Sequence, residues 1–193
     1  MNIFYLHRNA LIAAMMMCDI HINKMILESA QILSIVYIML TNNIHHIEQK
    51  KVYKAPQRYF KHPCVLWTLE SSSNFQWLLT HAYGLLKEYK FRFQPDKRHA
   101  SHNIIDFIID EFENFQHLFK KHDFTKPALA MHESCKVSDN PVNSYRFFYR
   151  HDKESFAKYN RGRSFPLWWH RIRYDPEIAK NLSNSRQKRL KKK

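Results

Sequence analysis

The chain has 193 residues, of which 45% are hydrophobic and 15% aromatic, so it can build a folded core and is not a disordered protein. It carries 31 Lys and Arg against 17 Asp and Glu, a formal net charge of +14. An excess of this size attracts polyanions and favours nucleic acid as the partner. Three cysteines exclude a disulfide framework and indicate a reducing compartment.

Two apolar runs lie near the start of the chain, Ala10–Cys18 and Ile32–Leu40. Neither approaches the roughly 20 residues that a membrane-spanning helix needs, so we expect no membrane partner. No small-residue cleavage site follows the first run, which argues against a signal peptide. Histidine and cysteine pairs such as His99-x-x-His102 are scattered at irregular spacing, unlike zinc knuckles, so we expect no metal.

Helical periodicity dominates the chain, which predicts an all-α fold. The first predicted helix runs from Asp19 to Leu40. Spacings of three and four residues place four polar side chains on one face of it: His21, Lys24, Glu28 and Gln31. The opposite face is apolar and is predicted to line the core: Ile22, Met25, Ile26, Ile32, Leu33 and Val36.

The polar face aligns a carboxylate, an ammonium and an imidazole, a combination that can move protons. The plain alternative is that Lys24 and Glu28 form an ordinary i,i+4 pair on a solvated helix, worth about 0.2 to 0.5 kcal/mol.

A basic connection runs from Thr41 to Lys61 and contributes candidate nucleic-acid contacts at Lys54 and Arg58, with His62 just beyond it. A second long helix is predicted from Pro63 to the break at Gln94, because apolar residues there recur at intervals of three and four. A third helix is predicted from His102 to Lys121, with an acidic, solvated outer face.

The last predicted helix runs from Pro141 to Tyr159, capped by Asn140. Arg146, Arg150 and Lys153 repeat along one face of it as a basic ridge among aromatic residues, which is suited to phosphates and exposed bases. The alternative is a plain solvated face.

A short segment after this helix mixes arginines with aromatic residues, from Arg161 to Arg173. Arg161 and Arg163 are candidate phosphate contacts. Trp168 and Trp169 are either a lid on the core or a stacking wedge, and we expect one to be buried and the other exposed. The end of the chain, 175–193, is predicted to be a disordered basic arm that adds nonspecific affinity or a nuclear address.

Several segments resemble a group of uncharacterised phage and bacterial proteins. They are the opening Met1-Asn-Ile-Phe-Tyr-Leu6, the run from Cys18 to Gln31, the Tyr53-Lys54 pair, His62-Pro-Cys-Val-Leu-Trp67 and Pro141-Val-Asn-Ser-Tyr-Arg146. This resemblance spans most of residues 1–170 and says little about activity.

Asp19-x-His21 followed by Glu28 is more distantly similar to the first helix of the pyrimidine-dimer DNA glycosylases of the phage endonuclease V type. That resemblance implies a compact all-helical enzyme whose N-terminal α-amine attacks the sugar C1′ while a glutamate, here Glu28, assists. The amine would belong to Met1 or Asn2. Leu27 and Gln31 stand where that family has arginines, so another damaged or modified base is as plausible a substrate as a dimer.

The chemistry follows from ordinary reactivity. An α-amine has a pKa of about 7.7 to 8.0, so near neutral pH part of it is a free nucleophile. Attack at C1′ expels the base and leaves an imine, from which proton removal at C2′ cleaves the strand. This requires the start of the chain to fold back over the first helix and meet Glu28 in a positively charged cleft.

We therefore predict an all-α bundle of four to five helices over residues 1–174 with a basic tail over 175–193. The predicted function is a DNA glycosylase and abasic-site lyase with Met1 or Asn2 as nucleophile, Glu28 as proton shuttle, and His21 and Lys24 orienting groups or binding phosphate. Lys24 is an alternative Schiff-base nucleophile. The alternative function is a nonenzymatic nucleic-acid-binding accessory protein. We expect no cofactor. The expected partner is damaged or modified duplex DNA, with RNA as the alternative. The expected location is the cytoplasm or, through the basic tail, the host nucleus.

Overall fold

The computed structural model of the protein describes residues 1–190, with the backbone alone at 186 and 188–190. It is 62% helical and has no strand in that range, which confirms the all-α class. The described residues form nine α-helices: α1 Ala10–Met15, α2 Asp19–Thr41, α3 His45–Glu48, α4 Pro63–Glu70, α5 Ser72–Phe93, α6 His102–Phe115, α7 Pro141–Lys153, α8 Leu167–Arg171 and α9 Pro176–Leu190.

The predicted count of four to five helices is wrong. Three short helices, α1, α3 and α8, form in segments too brief for periodicity to reveal. The helix predicted from Pro63 is two helices, because the backbone at Ser71 is extended and its side chain caps α5 by accepting a hydrogen bond from Asn74.

Helix α2 runs through the core, with its boundaries close to the prediction. All six residues of the predicted apolar stripe are fully buried. The helix ends where Asn42 adopts a left-handed conformation, φ 54°, and its N–H caps the carbonyl of Ile38. An 18-residue stretch of α2 has a mean hydropathy of 1.4, so by length and composition the helix could cross a membrane. However, 61% of that stretch is buried inside the protein, as in the core helix of a globular domain.

Helix α5 packs against α1 and α2. The approach to α1 is close at Gly84, where a Cβ would lie 3.0 Å from the Cβ of Ala14. The predicted break after α5 is present, because Gln94 adopts φ 42° and its N–H bonds to the carbonyl of Lys90. Glycine at position 84 therefore lets α1 and α5 approach each other more closely than a larger side chain would allow.

Helices α6 and α7 are shorter than predicted. The third predicted helix ends at Phe115 and continues as a single 3₁₀ turn to Leu118. Helix α7 begins as predicted, with the side chain of Asn140 accepting from the N–H of Val142, but ends at Lys153. The chain turns there so that Tyr159 is buried and donates to the carbonyl of Met16.

The predicted disordered arm is a helix over most of its length. Helix α9 covers 176–190 and contacts α7, with Leu182 buried. Residues 191–193, the end of the predicted arm, lie outside the described residues. Residues 176–190 are thus helical where the charge run predicts a disordered arm, and Leu182 lies between the charges and is buried.

A buried ionic cluster joins the helices at one end of the molecule. The guanidinium of Arg92 is 0% exposed and lies 2.9 Å from Glu88 Oε2 and 3.1 Å from Asp19 Oδ1. It also donates to the carbonyls of Met15 and Met17, at the end of α1 and just before α2. One side chain of α5 thereby fixes the junction of α1 and α2.

Glu88 has a second cationic partner in Arg163, whose Nη2 lies 2.6 Å from Glu88 Oε1. Burial acts to raise the pKa of Glu88, but the hydrogen bonds and charges of Arg163 and Arg92 outweigh it, so the pKa is lowered. The carboxylate is therefore ionised within the cluster and holds the segment after α7 against α5.

Replacing Arg92 by alanine should destabilise the protein by about 3 to 5 kcal/mol, because Asp19 would keep a buried charge without its cationic partner and Glu88 would keep only Arg163. Urea unfolding measures this. Arg98→Ala is the control, since it removes only an exposed ion pair with Asp106 and should cost about 1 kcal/mol or less. A loss below about 1 kcal/mol for Arg92→Ala would contradict a structural role for the cluster.

His81 supplies a second test of the core. Its ring is fully buried and stacks on Trp77 at 5.1 Å, and neither ring nitrogen has a hydrogen-bond partner among the described residues. Burial lowers the pKa of His81 to about 3. The neutral ring is compatible with folding and the charged ring is not, so stability is complete above pH 6.5 and falls as the pH drops toward 3.

Between pH 7 and pH 5 the titration of His81 should lower the unfolding free energy of the wild-type protein by about 2 kcal/mol. His81→Phe keeps a ring against Trp77 and removes the titration, so its unfolding free energy should lose about 2 kcal/mol less over the same interval. Urea unfolding of both proteins at the two pH values makes the comparison. Equal losses of unfolding free energy would show that His81 does not cause the loss of stability in acid.

Candidate active site

The start of the chain meets the acidic residue of α2. The Met1 nitrogen lies 4.0 Å from Glu28 Oε2, and the backbone N–H of Asn2 donates to the same oxygen at 3.1 Å. The Glu28 side chain is 17% exposed, so it remains open to the cleft beside it. The chain start therefore folds back onto α2 and lies beside Glu28, while the catalytic role of these residues remains a prediction.

The first residues are held in place by Asn2 and by the core. The Asn2 amide donates to the carbonyl of Ala130 at 2.8 Å, and its oxygen accepts from the N–H of Phe4 at 2.9 Å. Phe4 has a positive φ of 40°, and every residue from Ile3 to Leu6 is buried. Few fluctuations can separate the chain start from Glu28 without breaking these contacts.

Lys24 lies on the solvent side of the same carboxylate. Its Nζ is 3.6 Å from Glu28 Oε1, and its side chain is 61% exposed. The two oxygens of Glu28 thus face two different groups, the chain start at Oε2 and the Lys24 ammonium at Oε1. Lys24 can meet an incoming anion while it contacts Glu28.

His21 does not lie on a solvated face, contrary to the predicted pattern. It is 3% exposed, and its ring packs at 5.1 Å from Phe4, 5.2 Å from Tyr149 and 5.9 Å from Phe156. The N-terminal segment and α7 cover this part of α2, which helical periodicity alone could not reveal. His21 therefore lines the aromatic side of the site and is unsuited to direct phosphate binding.

These residues line one cleft of about 650 Å³. Its aromatic wall consists of Phe4, Phe148 and Phe156. The polar groups around the rest of it are His62, His132, Lys136, Asp152 and Lys153. Leu182 and Ser185 of α9 also line it. The volume is typical of sites for small organic groups.

Lys153 joins the polar and aromatic parts of the cleft. It pairs with Asp152, and its Nζ lies 5.1 to 5.8 Å from the centroids of Phe4, Phe148 and Phe156. The rings of Phe4 and Phe148 are stacked at 6.0 Å. A cation surrounded by rings is stabilised by their electron-rich faces and holds those rings in position.

His62 also opens into the cleft. Its Nδ1 caps α4 by accepting from the N–H of Cys64 at 3.2 Å. Burial and then the charge of the chain's amino group lower the pKa of His62, against an opposing effect of Glu28. The imidazole is accordingly neutral at neutral pH, and because its Nδ1 accepts from Cys64, its Nε2 carries the proton and can donate a hydrogen bond to a bound molecule.

Sequence reasoning missed the other wall of the cleft. His132 and Lys136 lie in a segment with no periodic pattern, and nothing in the sequence of α7 distinguishes Phe148 and Asp152 from its other residues. The one indirect signal is the spacing of residues 148 and 152, which are four apart and therefore share a face of α7.

The predicted basic ridge of α7 is occupied by contacts within the protein. Arg146 donates to the carbonyl of Leu6 at 2.9 Å and lies over the ring of Trp168. Arg150 pairs with Glu154 and donates to the carbonyl of Trp169. Of the ridge, only Lys153 lines the cleft. The two arginines thus have long-range partners that the sequence does not reveal, and phosphate binding by the ridge remains a prediction.

The remaining predicted nucleic-acid contacts are dispersed. Trp168 and Trp169 are both buried, so the expected exposed tryptophan is absent from this pair. Arg163 is held by Glu88. Three cations are exposed but do not line the cleft: Lys54, Arg58 and Arg161.

No group of three or more metal-ligating side chains occurs among the described residues, and the expectation of no metal remains a prediction. The three cysteines are buried and free. Burial raises the pKa of the Cys64 thiol to about 12 and that of Cys135 to about 11. Both thiols are protonated at neutral pH, a poor state for a nucleophile or ligand.

Comparison with known proteins gave no match to a family model, a curated protein or a solved structure. The resemblance to pyrimidine-dimer glycosylases therefore remains a prediction.

The anchor at Asn2 should be measurable. Asn2→Ala removes the hydrogen bonds to Ala130 and Phe4 and leaves a buried carbonyl and N–H unpaired, so it should destabilise the protein by about 1 to 3 kcal/mol in urea unfolding. Asn23→Ala, at an exposed position of α2, should change stability by less than about 0.5 kcal/mol. Equal effects of the two substitutions would contradict the anchoring role.

Proposed function

We propose that the protein is a DNA glycosylase and abasic-site lyase that acts on a damaged or modified base through an imine formed by its N-terminal amine. The observation that carries this proposal is the meeting of the chain start with Glu28, 4.0 Å from the Met1 nitrogen, at a cleft large enough for a nucleotide. A nucleophile beside a proton acceptor is the pair that this chemistry needs.

The amine attacks C1′ of the deoxyribose as the bond to the base breaks, and the base leaves with a proton. The bond from C1′ to the ring oxygen O4′ then breaks, the proton of the attacking nitrogen passes to O4′, and an imine forms that makes the C2′ hydrogens acidic. Glu28 accepts one of them, the bond between C3′ and its phosphate oxygen breaks, and the strand is cleaved. Water then hydrolyses the imine and regenerates the amine. Proton transfer by a positioned carboxylate typically contributes about 10² to 10⁴ in rate.

The geometry accommodates either form of the chain start. With Met1 retained, its nitrogen is the amine near Glu28. If Met1 is removed, the Asn2 nitrogen becomes the α-amine, and it lies 3.1 Å from the same oxygen. In this proposal Lys24 contacts a phosphate beside the reacting sugar, and the neutral imidazole of His62 donates a hydrogen bond from Nε2 to the bound nucleotide.

The aromatic wall of the cleft suits an unstacked nucleotide. An enzyme that reacts at C1′ has to draw the nucleotide out of the duplex, which costs a few kcal/mol. Stacking on an aromatic ring recovers about 1 to 3 kcal/mol per base, and Phe148 and Phe156 are both partly exposed at the cleft.

The second candidate function is a nonenzymatic nucleic-acid-binding accessory protein. It is favoured by the contacts that already engage both oxygens of Glu28. The Asn2 N–H fastens the chain start to Oε2 and Lys24 pairs with Oε1, and neither contact requires any chemistry. Glu28→Gln separates the two candidates.

The test is borohydride trapping on a duplex with one abasic site. Wild-type protein should form a covalent adduct, and peptide mapping should place it on the α-amine, with intact mass identifying the first residue. Glu28→Gln should retain DNA binding and reduce strand cleavage by about 10² or more. Lys24→Ala should still be trapped, because its ammonium binds phosphate in this mechanism.

An adduct mapped to Lys24 would identify Lys24, and not the α-amine, as the nucleophile. The absence of any adduct, on abasic DNA and on a panel of damaged duplexes, would leave the accessory protein as the function. Competition between single-stranded RNA and duplex DNA at fixed salt identifies the preferred nucleic acid.

A further inference from the structure

A second groove, of about 590 Å³, lies next to the cleft. Lys24 lines both, so the two cavities meet at the residue that pairs with Glu28. The groove lies between α2 and the loop that joins α5 to α6, with Tyr53 and Tyr89 in its lining. It therefore extends the cleft away from the chain start.

A third cavity, of about 260 Å³, continues along α5. It shares Tyr89 and the loop residues 95–99 with the second groove and adds Tyr83, Lys87 and Lys90. The cleft and the two further cavities form a connected series through these shared residues. We refer to the second and third cavities together as the loop track.

The loop track is rich in exposed cations. Lys24, Lys87, Lys90, Lys97 and Arg98 are all exposed. Arg98 contacts Asp106 at 3.7 Å, yet its side chain is 70% exposed. The cations of α7, by contrast, are engaged by carbonyls, carboxylates and rings. The positive charge that the protein can offer to a polyanion is therefore greater along the loop track than along α7.

Aromatic rings alternate with these cations. Tyr83 is 41% exposed, and the Nζ of Lys87 lies 4.6 Å from its ring centroid. Tyr89 meets the ring of His99 edge-on at 5.4 Å. Cations that contact phosphates, interleaved with rings that stack on bases, are the usual composition of surfaces that follow a nucleic-acid strand.

The loop itself is braced. His99 Nδ1 accepts from the N–H of Ser101 at 3.0 Å, and Ser101 Oγ lies 3.0 Å from the hydroxyl of Tyr53. Because Ser101 is fully buried, these bonds hold the base of the loop while Lys97 and Arg98 project from it. A preorganised loop loses little conformational freedom when it binds.

We propose that the loop track binds the phosphodiester backbone of the DNA strand on one side of the nucleotide held in the cleft, with Lys97 and Arg98 as its main phosphate contacts. The position of the reacting nucleotide rests on the proposed function, whereas the DNA contact itself does not. The first experiment below therefore uses undamaged as well as lesion-containing DNA.

The probes are a duplex with one tetrahydrofuran abasic analogue, which cannot form an imine, and the same duplex undamaged. Binding is measured over a series of salt concentrations. Each phosphate contact contributes about 0.9 to the slope of log K against log salt, so Lys97→Ala/Arg98→Ala should reduce the slope by about 1 to 2 on both probes.

The matched control removes the same charge at the other end of α5. Lys120 and Lys126 are exposed, and the carbonyl of neighbouring Lys121 accepts from Ser72 at the start of that helix. The 22 residues of α5 span about 33 Å, so Lys120→Ala/Lys126→Ala should change the slope by less than about 0.5. Urea unfolding verifies that both variants fold.

The proposal is overturned if the Lys97/Arg98 variant keeps the wild-type slope on undamaged DNA, or if the control lowers it equally. A second measurement tests the route of the strand. Duplexes with the analogue near one end are extended on either the 5′ or the 3′ side of the analogue. The affinity of the wild-type protein should rise for only one of the two extensions. Lys97→Ala/Arg98→Ala should remove that increase.

Equal gains on both sides would overturn the assigned route. The two proposals fail separately. Loss of the salt and flank effects with borohydride trapping intact contradicts only the loop track, and absence of trapping with those effects intact contradicts only the enzymatic function.

Discussion

The buried guanidinium of Arg92 is the constraint on which the architecture depends. It binds the end of α1, the first residue of α2 and Glu88 within α5, and Glu88 in turn holds Arg163 beyond α7. Because α2 is fixed at its first turn, Lys24 and Glu28 face the cleft in a defined register. The buried charge at the start of α2 thereby orients the helix that carries the candidate site.

The spacing of apolar residues along the chain predicted the helices that bury a regular apolar stripe. Most of the features that this spacing did not predict depend on contacts between residues far apart in the chain. The apolar face of α2, the cap at Asn140 and the break at Gln94 follow from spacing and backbone preference, which act over a few residues. The burial of His21 depends on Phe4 and on α7, more than 100 residues away. A helical wheel contains no such information.

The candidate site was predicted in part for the same reason. Glu28 and Lys24 are one turn apart, so their pairing was visible in the sequence, and the resemblance indicated that the chain start would join them. The partners of Arg146 and Arg150 are carbonyls of residues 6 and 169, which no charge pattern identifies. Cations counted in a sequence therefore overstate the charge available at a surface, since some neutralise the interior of the fold.

The placement of Leu182 and Ser185 beside Met1 has a practical consequence for handling the protein. A purification tag fused ahead of Met1 would convert its amine to an amide, and one fused beyond α9 would be attached to a helix that borders the same cavity. An internal tag in the exposed segment around Lys120 would leave both approaches unobstructed.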